Sequence, residues 1–157
     1  MGNLYKAFST LLFISYIPGK IFKFKKNTGA GFLGTFVALM VAKCLPQGNL
    51  EYLIFLIIFT LFSVFVSGKS EFKEKKHDNP KIIIDEACGY FFAIAFLPRR
   101  WEFLIAAFIL FRIFDTIKPL GIKKIDIALE NGWGIVLDDV ASGVITNALI
   151  WSYILIF

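Results

Sequence analysis

The chain is poor in the residues from which soluble metal and redox sites are usually built, with two cysteines and one histidine in 157 residues. Cys44 and Cys88 sit within or beside apolar runs and have no CxxC spacing. That excludes a disulfide framework and a thiolate zinc site, and leaves both as small buried hydrophobes. His77 stands alone in a charged stretch and reads as a solvated loop residue, not a ligand. Neither GxGxxG nor the P-loop pattern is present, so the phosphate-cradling loops that those patterns form are excluded. No internal repeat or low-complexity segment is visible.

Apolar residues are abundant instead. Hydrophobic types make up 57% of the chain, nineteen of them phenylalanine, and the mean hydropathy is +0.71. One soluble core of this length needs far less. The composition predicts an integral membrane protein. A net charge of +5 could suggest nucleic acid, but the lysines cluster in short segments between apolar runs. Cytoplasmic loops facing anionic lipid have that pattern, and no nucleic-acid partner is expected.

Along the chain, Lys6 precedes an apolar stretch over 7–17 that ends in Pro18-Gly19-Lys20 without a small-x-small cleavage site. It is expected to be retained as a short interfacial or re-entrant helix. Lys20, Lys23, Lys25 and Lys26 then lead into a glycine-rich stretch, 28–35, which as a phosphate cradle is weak and as close helix packing is ordinary. Apolar runs follow over 31–45, 52–66, 82–97, 101–117 and 137–157. A turn at 46–49 separates the first two, a hydrophilic segment at 69–81 the next two, Pro98-Arg-Arg100 the third from the fourth, and a charged connector at 118–131 the last two. The expected architecture is all-α: a multi-pass transmembrane bundle of four or five spans, with 1–26 as an N-terminal interfacial segment and 27–157 as one catalytic domain.

If the N-terminus is cytoplasmic, the lysine groups at 20–26, 69–81 and 118–124 all lie inside, and Lys43, Arg99 and Arg100 fall near the outer face. This topology brings Asp85 and Glu86, Arg112 and Asp115, and Asp138 and Asp139 to one depth on the cytoplasmic side. Each ionisable group at membrane depth costs about 2.5–3.5 kcal/mol on insertion scales, so five carboxylates at one level need a partner. Carboxylates without thiolates favour a hard cation, Mg2+ or Mn2+, shared with waters and a substrate phosphate. Arg112 lies three residues before Asp115, on the same helical face, and Lys118 follows. Metal and cations together suit phosphate chemistry. Taken singly, Asp138-Asp139 could equally be a dipole-favoured helix start, and Arg112 with Asp115 a structural ion pair.

Three motifs, Ile83-Ile-Asp-Glu-Ala-Cys-Gly89, Phe111-Arg-Ile-Phe-Asp-Thr-Ile-Lys-Pro119 and Gly132-Trp-Gly-Ile-Val-Leu-Asp-Asp-Val-Ala-Ser-Gly143, resemble in order and spacing those of the phosphatidylglycerophosphatase A family of bacterial inner-membrane lipid phosphatases. Gly34-Thr35 resembles that family's N-terminal proline-glycine-threonine motif, with Leu33 in place of the proline and Val37-Ala38 in place of a following glycine-serine. The resemblance implies a helical bundle in the bacterial inner membrane that hydrolyses phosphatidylglycerophosphate to phosphatidylglycerol and phosphate with Mg2+. It also implies catalytic roles for Asp85, Glu86, Asp115, Asp138 and Asp139, and substrate contacts for Arg112, Lys118 and Thr35. Asp85, Glu86, Asp138 and Asp139 would hold one or two Mg2+, and Glu86 or Asp115 could instead orient the attacking water. The partners would be the phospholipid substrate and the bilayer. A divalent-cation transporter or channel subunit is the rival reading, but it would carry its acids at mid-membrane depth. The long spaced aspartate motif of CDP-alcohol phosphotransferases is absent.

Overall fold

The computed structural model describes residues 2–16, 29–74, 81–119, 122 and 132–157. Lys20, Lys23, Lys25, Lys26, His77 and most of the 118–131 connector lie outside the described residues. Among the described residues there is no strand. The helices are α1 (Gly2–Ser9), α2 (Ala30–Val41), α3 (Asn49–Glu74), α4 (Ile84–Ala93), α5 (Trp101–Ile117) and α6 (Gly132–Ile156). Short 3-10 turns follow α1 at Ile14–Tyr16 and α2 at Ala42–Cys44.

The bundle is organised around one of its shortest helices. Eight of the ten residues of α4 are buried, and α2, α3, α5 and α6 all pack on it. Small residues make that possible. A Cβ on Gly89 would lie 2.6 Å from the Asp139 carbonyl oxygen and 2.7 Å from Phe111 Cε2, and one on Gly143 would fall on the Gly89 carbonyl oxygen. The α4 and α6 backbones therefore touch. Aromatic rings from α3 close the other side, with Phe91 edge-on to Phe55 at 5.4 Å and to Phe59 at 5.1 Å.

Outward faces are as apolar as the core. On α3, Leu50, Leu53, Ile54, Ile57, Ile58 and Leu61 form an exposed stripe at helical spacing. On α5, Trp101, Ile105, Ile109, Ile113 and Ile117 make an exposed ridge at every fourth residue. A soluble amphipathic helix would place polar residues there. Among the described residues, two helices are long and apolar enough to cross a membrane, Asn49–Ser70 and Gly132–Ile156, and only 28% of each apolar window is buried. A soluble core helix would be mostly buried, so lipid is the solvent that these faces fit.

The apolar run at 82–97 is helical over only ten residues, about 15 Å at 1.5 Å each, half the thickness of a hydrocarbon core. Backbone groups freed at such a break must be satisfied by protein. Asn147, from the middle of α6, donates through Nδ2 to the carbonyls of Ala93 (3.1 Å) and Ala95 (2.9 Å). Tyr52 donates its hydroxyl to the Phe91 carbonyl at 2.7 Å. At the N-terminal side, α1 docks on α3 through edge-on pairs Tyr5–Phe65 and Phe8–Phe62, and Ile83 N–H donates to the Ser9 carbonyl at 2.9 Å.

Asn147→Leu keeps the side-chain bulk and leaves two carbonyls unsatisfied in apolar surroundings, at roughly 1–3 kcal/mol each. The expected outcome is a clearly lower unfolding temperature of the detergent-purified protein. Wild-type stability would mean that other groups satisfy those carbonyls.

Candidate functional site

Four helix ends meet at the end of the bundle away from the 94–100 segment: the starts of α2, α4 and α6 and the finish of α5. Asp85 and Glu86 occupy the first turn of α4, where the helix dipole favours negative charge. Asp138 and Asp139 do not sit at a helix start. α6 begins at Gly132, so they lie six and seven residues in, beyond the turn over which the dipole acts. Dipole compensation is thereby removed as their explanation. Both are buried, each 3% exposed.

The glycine contact sets the spacing of the acids. Asp85 is one turn before Gly89 and Asp139 one turn before Gly143, on the same faces as those glycines. Where the two backbones touch, the next turn brings the two aspartates together. Glu86 joins them, and carboxylate oxygens of Asp85, Glu86 and Asp139 all lie within 4.8 Å of one another. Asp85 Oδ1 and Glu86 Oε2 are buried and have no hydrogen-bond partner among the described residues. Close carboxylate oxygens, some buried and unsatisfied, fit a bound hard cation, and among the described residues no histidine or cysteine joins the group.

Consecutive residues on a helix point about 100° apart, and that rotation separates the adjacent aspartates. Asp139 faces Asp85 and Glu86, whereas Asp138 pairs with Lys118, the left-handed residue (φ 46°) that ends α5 before Pro119. Asp138, expected among the metal ligands, and Lys118, expected on substrate phosphate, are joined to each other here, beside the three-acid group. Arg112 pairs with Asp115 at 2.8 Å, as their spacing predicts, and the same Nη1 donates to Thr35 Oγ1 at 3.3 Å. Thr35 in turn donates to the Gly31 carbonyl at 3.1 Å.

Gly31 and Gly34 were read as part of a weak glycine-rich stretch, and their contacts give it a definite role. A Cβ on Gly31 would overlap Glu86 Oε1 and lie 3.4 Å from Arg112 Nη1. On Gly34 it would lie 2.6 Å from the Ile83 carbonyl oxygen, immediately before α4. These two glycines let α2 sit flush against the site. Sequence reasoning did not find Gly31, because nothing local shows which side chain will occupy the space that its missing Cβ leaves.

The model of the phosphatidylglycerophosphatase A family matches residues 7–154. The chain is 34% identical over 127 residues to a phosphatidylglycerophosphatase A of Haemophilus influenzae, covering 80% of this chain and 77% of that protein. It is 36% identical over 97 residues to a putative phosphatidylinositol-3-phosphatase of Bacteroides thetaiotaomicron, 60% of either chain. Over 76 residues it is 36% identical to phosphatidylglycerophosphatase A of Escherichia coli, 48% of this chain and 44% of that one. No solved structure matches.

Burial works against the charge on Lys118, but the hydrogen bond and charge of Asp138, with Asp139 and Asp115 behind it, outweigh burial and hold the lysine above its ordinary range. A raised pKa leaves the pair's contribution complete below the ordinary lysine value of about 10.4. Lysine titration therefore leaves the pair intact between about pH 6 and 9. Lys118→Met should cost roughly 1–3 kcal/mol in wild type, because the buried Asp138 carboxylate loses the cation it pairs with. In an Asp138→Asn background the cost should largely vanish. Denaturant unfolding of the four proteins of this cycle checks the coupling; equal costs in both backgrounds would show that the pair contributes nothing.

Proposed function

Because this chain belongs to the phosphatidylglycerophosphatase A family, we propose that it removes the terminal phosphate of phosphatidylglycerophosphate, with the group Asp85, Glu86 and Asp139 holding the Mg2+ that the reaction needs. The observation that carries this reading is that carboxylate oxygens of Asp85, Glu86 and Asp139 lie within 4.8 Å of one another, while Asp85 Oδ1 and Glu86 Oε2 are buried without a hydrogen-bond partner among the described residues. An all-carboxylate set suits Mg2+ or Mn2+ better than a softer ion. When bound, the cation supplies positive charge against the oxygens of the transferring phosphoryl group.

The chain's own residues do the remainder. Arg112 is braced by Asp115 on one side and Thr35 on the other, and both described contacts use Nη1. Its other N–H donors can take two phosphate oxygens in a bidentate pair. Thr35 is on this reading a positioning residue acting through Arg112, while Lys118 adds charge at the rim from its place beside Asp138. Water attacks phosphorus and the ester P–O bond breaks, releasing inorganic phosphate and the lipid alcohol. Whichever carboxylate is not engaged with the cation, Glu86 or Asp115, takes the proton from that water and returns it to the departing lipid oxygen.

The membrane arrangement follows from the same faces. On our reading α2, α3, α5 and α6 cross the bilayer, and α4 with the 94–100 segment makes a fifth crossing that is helical over its inner half. The basic groups at 69–81 and 118–124 support a reading in which the acidic end lies on the cytoplasmic side of the bacterial inner membrane, at headgroup depth, with acyl chains along the exposed ridges of α3 and α5.

Asp85→Asn and Asp139→Asn should each lower Mg2+-dependent phosphate release from phosphatidylglycerophosphate by at least about 10³-fold while the protein still inserts. Near-wild-type turnover by either would remove that residue from the site. Phosphatidic acid and phosphatidylinositol 3-phosphate belong in the same assay, the latter because of the Bacteroides relative, and both should be poorer substrates. A cation flux through proteoliposomes without phosphate release would favour the transporter reading instead.

A further inference from the structure

The far end of the bundle carries a second polar site that the hydrolytic chemistry does not use. α4 starts at the acids and runs about 15 Å away from them. Beyond its finish, the turn after α2 and the segment before α5 enclose a cleft of about 220 Å³, lined by Gln47, Asn49, Tyr52, Phe96 and Arg99 among others. At about 30 Å³ per water, the space holds several waters or one phosphate-sized headgroup.

Arg99 is the one charged residue lining this cleft. Its guanidinium lies over the Tyr52 ring at 4.5 Å, and its one described hydrogen bond, Nη1 to the Ile94 carbonyl, is long at 3.5 Å. A stacked guanidinium is held in place with most of its donors unspent. Tyr52 is itself fixed, buried and hydrogen-bonded to the Phe91 carbonyl, so the platform is rigid. Nearby acids are directed elsewhere: Glu102 pairs with Arg100 at 3.0 Å, and the Glu51 carboxylate folds over Gly48. The amides of Gln47 and Asn49 add neutral donors at the mouth.

The setting points to lipid. Leu50, Leu53 and Trp101 are exposed beside the cleft, and Lys43 lies over the Trp101 ring at 4.3 Å. Cations stacked on Trp and Tyr next to an apolar belt mark a membrane–water boundary. We propose that the cleft formed by Gln47, Asn49, Tyr52, Phe96 and Arg99 binds the phosphodiester headgroup of an anionic phospholipid at the membrane face opposite the acid cluster. The proposal rests on the reading that the bundle spans the bilayer, and it is independent of which lipid phosphate is hydrolysed. Such a lipid would hold the 94–100 segment against α3 and so steady the finish of α4.

The test uses full-length protein carrying Asp139→Asn, so that hydrolysis plays no part, with native mass spectrometry of bound short-chain phosphatidylglycerol as the readout. Adding Arg99→Gln should weaken retention of one lipid per chain about tenfold, the value of one charge-assisted contact. Asn49→Ala, at an exposed position that cannot unfold the bundle, should weaken it to a smaller extent. Inorganic phosphate is the second probe. If it fails to displace the lipid, the headgroup is the ligand; if it displaces the lipid at equal concentration, the cleft is a site for free phosphate and the lipid assignment is wrong. Retention unchanged in both Arg99→Gln and Asn49→Ala overturns the site altogether.

Discussion

The contact of α4 with α6 at Gly89 and Gly143 is the constraint on which the rest depends. With a side chain at either position the two helices could not touch, because the atoms in the way are backbone carbonyls, which have no rotamer to yield. Two aspartates, each one turn before its glycine, are thereby held together across two separate helices. The repulsion and desolvation that this imposes are accepted at a place where the surrounding helices have no other reason to bring acids close. Close packing of small residues at one level thus determines the chemistry available at the next.

Around that contact the polar groups fall into two sets with different tasks. One set repairs the backbone: Asn147 and Tyr52 satisfy carbonyls at the early finish of α4, where apolar surroundings would leave them bare. The other is electrostatic and sits at the opposite end of α4. There five carboxylates face two described cations, Arg112 and Lys118, each already engaged with one acid. The surplus of negative charge falls on Asp85, Glu86 and Asp139, which form no ion pair among the described residues, and this is what makes an external cation the economical partner.

Much of this was legible in the sequence because the informative signals were local. The three acidic motifs, the Arg112–Asp115 spacing and the apolar runs follow from helical periodicity, and alternation of the runs across a membrane placed all the acids at one depth. Three features could not be read that way. The first turn of α6 is glycine- and tryptophan-containing, so the helix start was set at 137 and not at Gly132, which kept a dipole explanation for Asp138 and Asp139 open. Which of these two meets the other acids depends on the rotation of α6 about its axis, and that is fixed by Gly143 packing on α4, a long-range event. Thr35 and Arg112 are 77 residues apart, and Lys118 and Asp138 are 20 apart across the connector, so neither pairing has a local signature. Asn147 did leave a trace, as a strong hydrogen-bonding side chain in an apolar run, but only the broken helix beside it explains its presence.

The central claim is that Asp85, Glu86 and Asp139 are together because a divalent cation comes between them. Titration of the purified protein with Mn2+, followed by loss of the free-ion signal in electron paramagnetic resonance, tests this without reference to turnover. The account predicts uptake of at least one Mn2+ per chain, displaceable by Mg2+ and lost when Asp85, Glu86 and Asp139 are replaced together by their amides. No uptake by the wild-type protein, or unchanged uptake by the triple amide variant, would contradict it.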